Sequence, residues 1–79
     1  MILTNEDIEF IKYSKEQLNK GRYSDIKKLN EVYNRVYVDN PNFKKENIPM
    51  CGPCIRRKIC EMYNDMEIVL REAEKETQV

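Results

Sequence analysis

Seventy-nine residues, 41% hydrophobic and 35% charged, describe one small folded domain and argue against a disordered chain. Fourteen cations balance fourteen anions, unlike the clear basic excess of a general nucleic-acid binder. Two glycines and three prolines disfavour a chain of many short strands and turns, so the expected class is all-α.

A first helix is expected over residues 4 to 20. Thr4 suits the N-cap, and Asp7 three positions on makes a weak variant of the capping box. Leu3 and Ile8 stand at the staple positions around that cap. Ile8, Ile11 and Leu18 share a face, with Phe10 beside it and Ser14 diluting it. Gly21 can close the helix in a left-handed turn.

A second helix is expected over 24 to 38, capped by Ser24, with Asp25 in its positive first turn. Ile26, Leu29, Tyr33 and Val36 recur at helical spacing, and Val32 and Tyr37 widen the stripe. Val36-Tyr37-Val38 has strand propensity, but no partner strand is evident. Asn40-Pro41 ends the helix, because proline disfavours helical backbone in the residue before it. Residues 40 to 52 read as a linker, with Phe43 and Ile48 as anchors.

The third helix is expected from Pro53, a favourable first position, to about residue 76. Ile55, Ile59, Met62, Met66, Val69 and Ala73 alternate by four and three, a seam of nearly three heptads. Tyr63 and Leu70 flank it. This face packs on the first two helices, or its far half outreaches them and packs on another chain. The whole is a small three-helix domain with a long C-terminal helix. Domains this small are often backed by a metal, disulfides or oligomerisation.

All three cysteines lie in Met50-Cys51-Gly52-Pro53-Cys54-Ile55-Arg56-Arg57-Lys58-Ile59-Cys60. Cys51-Gly52-Pro53-Cys54 resembles the active-site tetrad of thioredoxins. However, the strand and βαβ context that such a tetrad needs is missing, and Met50 stands where that family usually has tryptophan. Cys-x-x-Cys is also half of a zinc site, which makes Cys51 and Cys54 the candidate ligands. Cys60 is a weaker candidate, since six residues carry it roughly 240° around a helix from Cys54. The chain has no histidine, so a complete site needs a carboxylate or a second chain's cysteine pair. The remaining reading is structural: two small packing residues at a helix start, with Gly52 permitting the turn. An odd number of cysteines fits a reducing compartment better than a secreted disulfide framework.

Charge is unevenly spread. Residues 40 to 58 carry five cations against one anion, and residues 59 to 79 carry six anions against two cations. Arg56, Arg57 and Lys58 at a helix start, and Glu72, Glu74 and Glu76 at its end, oppose the helix dipole. A local rule broken in this way points to a partner, or else to solvated side chains.

The joined pattern LNEVYNRVYVDN (29 to 40) and CGPCIRRKI (51 to 59) resembles small helical proteins of tailed phages, notably the crAss-like phages of gut Bacteroides. In those, a helix containing Tyr-Asn leads through a short linker to Cys-x-x-Cys-Ile-Arg-x-Arg and a final helix. The likeness spans residues 29 to 60, with Lys58 where a second arginine is expected. It implies a phage origin, a location in the host cytoplasm during infection and in the virion, and no reaction.

The expected function is therefore a non-enzymatic protein–protein interaction module, a small structural component of a phage particle or homo-oligomer. Arg56, Arg57 and Lys58 at one end of the last helix, and Met66 and Leu70 along it, are the expected partner contacts. The alternative is a nucleic-acid-binding or regulatory protein that uses Lys44, Lys45 and the same cations on phosphates, with or without zinc. A thiol redox protein is the third reading. No apolar run reaches membrane-spanning length and no signal peptide is visible, so neither membrane contact nor secretion is expected.

Overall fold

The computed structural model describes residues 1–23, 25–41 and 51–77, with side chains to residue 74. It contains α1 (Asn5–Asn19), α2 (Ile26–Val36) and α3 (Gly52–Thr77). The small all-α domain with a long last helix is what the hydrophobic periodicity implied. No strand occurs among the described residues; Val36 ends α2 and Tyr37 is its C-cap.

Each start and stop has a local cause. Thr4 caps α1 in a complete capping box: its Oγ1 accepts from the Asp7 N–H at 3.2 Å, and Asp7 Oδ2 accepts from the Thr4 N–H at 3.1 Å. At the other end the Arg22 N–H reaches the Gln17 carbonyl (2.8 Å) and the Gly21 N–H that of Leu18 (3.0 Å), a Schellman closure. Gly21 takes φ 74°, a region that glycine enters without steric cost. The cap of α2 is Asp25, whose carboxylate accepts from the N–H groups of Lys27 and Lys28. The helix thus starts one residue later than a Ser24 cap requires; Ser24 itself lies outside the described residues. It also ends at Val36, two residues before the expected end at 38.

The core joins Phe10, Ile11 and Leu18 of α1 to Leu29, Val32 and Val36 of α2 and Ile55, Ile59, Met62 and Met66 of α3. Burial of this apolar surface drives the assembly at about 25 cal/mol per Å². Helix α1 packs directly on α3. The first segment is tied to α2 by a hydrogen bond from the Ile2 N–H to the Val36 carbonyl (2.7 Å). The molecule measures 43 × 30 × 19 Å, and its long dimension is close to the roughly 39 Å of a 26-residue helix.

Two polar contacts between helices complete the frame. Asp7, 1% exposed, turns its second carboxylate oxygen to the guanidinium of Arg35 on α2. The hydroxyl of Tyr37 donates to Asp65 of α3, and burial and this hydrogen bond raise its pKa well above the ordinary phenol value.

Candidate functional site

The start of α3 gathers the residues with chemistry. The helix begins at Gly52, one residue before the proline that was expected to open it. Cys51 stands immediately before it, and its carbonyl accepts from the Ile55 N–H at 2.9 Å, the bond of a capping residue. No acidic side chain lies in the first turn. The acceptor there is sulfur: Cys51 Sγ takes the backbone N–H of Cys54 and the Cys54 thiol. These two hydrogen bonds hold the Cys51 pKa below the ordinary thiol value. Cys54 moves the opposite way, raised by its hydrogen bond to Cys51, by burial and by the Cys51 charge, with Arg57 opposing.

Cys51 is exposed and Cys54 is half-buried, so the sulfur with the lower pKa is also the more accessible. Gly52 was expected to permit a tight turn, yet its φ is not positive. Its lack of a side chain serves a close approach instead. A Cβ there would stand 2.8 Å from the Tyr23 hydroxyl, which closes over this end of the helix from the α1–α2 connection. Tyr23 was not singled out by its sequence context, because a half-exposed tyrosine in a loop carries no local signal.

The third cysteine faces elsewhere. Cys60 is half-buried against the core and accepts from Lys15 Nζ of α1 at 3.6 Å. Its distance around the helix separates it from the Cys51–Cys54 pair, as its spacing implied. One chain therefore offers two thiols for a metal, and no group of three or more His, Cys, Asp or Glu among the described residues is placed to hold an ion.

The cations divide. Arg56 and Arg57 are exposed. Lys58 is not a free surface charge: its Nζ lies 4.7 Å from the centre of the Tyr33 ring, 3.3 Å from the Tyr33 hydroxyl and 3.9 Å from Glu61. Cation–π attraction and the neighbouring carboxylate account for it within the chain. Lys44 and Lys45 lie outside the described residues.

The apolar seam also divides. Ile55, Ile59, Met62 and Met66 are buried under α1 and α2. Met66 is 0% exposed, so it belongs to the chain's own core and is not a surface contact for a partner. Past it the cover thins. Val69 and Leu70 are half-buried, Ala73 is exposed, and Ile68 is 52% exposed. Ile68 and Val69 line a shallow groove with Tyr37, Pro41 and Asp65. Ile68 lies off the heptad positions and so was not singled out by the periodicity. No described helix is long and apolar enough to cross a membrane.

Comparison of the chain with protein-family models, with curated proteins and with solved structures found no match in any of the three.

Proposed function

We propose that the chain is a non-enzymatic interaction module that assembles head to tail with copies of itself, as a small structural component of a larger particle. The observation that carries this reading is the thinly covered end of the α3 seam: Val69 and Leu70 are only half-buried and Ile68 is 52% exposed, so an apolar face continues past the buried core. Uncovered apolar surface rimmed by polar groups is the usual mark of a protein contact. Charged groups of both signs rim it: Asp39, Asp65, Glu67 and Glu74, with Lys12, Arg71 and the N-terminal ammonium, which pairs with Asp39. The exposed Arg56 and Arg57 stand at the opposite end of the same helix. An apolar end with a carboxylate-containing rim and a basic end on one rod suit a heterologous contact, which closes into rings or extends as filaments. The resemblance of residues 29 to 60 to small phage proteins agrees with a particle component.

Sedimentation velocity over a range of concentrations tests this. The wild type should form larger species that shrink as salt rises, because charges at the rim of a contact are screened. Ile68→Glu should leave a folded monomer, and Arg57→Glu should weaken assembly. A wild type that stays monomeric at every concentration and salt overturns the proposal.

A further inference from the structure

We propose that Cys51 and Cys54 are a reversible oxidation site, in which Cys51 attacks a small-molecule disulfide and Cys54 resolves the adduct into an intramolecular disulfide.

The proposal rests on the arrangement of the two sulfurs. They are close enough to share a hydrogen bond, and Cys51 is exposed while Cys54 lies behind it. A sulfur at a helix start receives the partial positive charge of unpaired N–H groups, which favours the thiolate, the nucleophilic form. The helix carries three cations, Arg56, Arg57 and Lys58, directly after the pair and no carboxylate in its first turn. The Tyr23 hydroxyl approaches Gly52, between the two cysteines in sequence, from outside the helix. Of these cations Arg57 acts on the pair, opposing the upward shift of Cys54.

The chemistry balances. The Cys51 thiolate bonds to one sulfur of a disulfide RSSR and expels RS⁻, which takes up a proton. Cys54 then loses its proton, attacks the Cys51 sulfur and expels the second RS⁻. Two cysteine thiols are oxidised, and one RSSR is reduced to two RSH. Cys60 stands outside this exchange, on another side of α3 and under Lys15.

Glutathione disulfide is the probe, applied to the full chain under native conditions and read by intact mass and peptide mapping. The wild type should lose two hydrogens in mass, and Cys51 and Cys54 should become unreactive to alkylation until dithiothreitol is added. Cys54→Ser should accumulate glutathione on Cys51. Cys51→Asp, which puts a carboxylate acceptor at the N-cap and so keeps the helix start, should form neither product while its circular dichroism is unchanged. Three results overturn the proposal: no glutathione on Cys51 in Cys54→Ser, a persistent mixed adduct in the wild type, or zinc retained by the native protein with both thiols blocked.

Discussion

The starts of α1 and α3 meet the same demand in opposite ways. Every helix start leaves N–H groups unpaired and a partial positive charge to satisfy. At α1 the answer is oxygen, reciprocally paired: exposed Thr4 and buried Asp7 cap each other, and Asp7 also holds Arg35. At α3 the answer is sulfur, exposed and followed by cations. The first arrangement locks two helices together and leaves nothing free to react. The second stabilises its helix less, because sulfur is a weak acceptor, but keeps a nucleophile at the surface.

Removing the oxygen cap should produce the largest effect. Asp7→Ala deletes half of the capping box and the partner of Arg35. Losing the cap and a charged hydrogen bond should together cost about 2–3 kcal/mol, since Arg35 is half-exposed and can turn to water. A urea titration reads this directly; a loss below about 1 kcal/mol would show that Asp7 is a cap and nothing more.

A smaller change is expected at the sulfur cap. Cys51→Ala should lower the thermal midpoint by less than Asp7→Ala, and Cys51→Asp should raise it, because a carboxylate accepts better and matches the dipole and Arg56–Lys58. Equal midpoints for Cys51→Ala and Cys51→Asp would remove Cys51 from the capping position.

The most delicate test of the contrast is the pH dependence of alkylation. A thiol whose folded pKa is depressed, as at Cys51, adds stability that is present above its unfolded pKa and lost as pH falls through the folded one. Cys54 has the opposite sign: its contribution is present below the unfolded pKa and lost as pH rises through the folded one. Iodoacetamide should therefore label Cys51 at a lower pH in the native chain than in urea, and Cys54 at a higher pH. Coincident native and urea profiles would mean that the helix start does nothing to the pair.

Much of the framework was legible without coordinates. The periodicity of Ile55, Ile59, Met62 and Met66 marked the buried face of α3, and Thr4 and Gly21 marked the ends of α1 within a residue or two, while Asn40-Pro41 lies four residues past the end of α2. The placement of Cys60 away from Cys54 also followed from spacing alone. Legibility failed where a residue answers to a distant neighbour. Asp7 read as a weak cap because its second partner, Arg35, lies 28 positions away. Lys58 read as part of a free charge run because Tyr33, 25 positions back, cannot be placed beside it before α2 and α3 are packed.

The sequence by itself determined three helices, their polarity pattern and the pairing of two cysteines at the start of the last. Those features follow from bonds and contacts within a turn or two of backbone. Only the tertiary structure decided which part of the α3 seam is covered, that Gly52 makes room for Tyr23, and that Met66 is core while Ile68 faces water. Such outcomes depend on the lengths and packing of α1 and α2 against α3, and no local rule encodes where one helix stops shielding another.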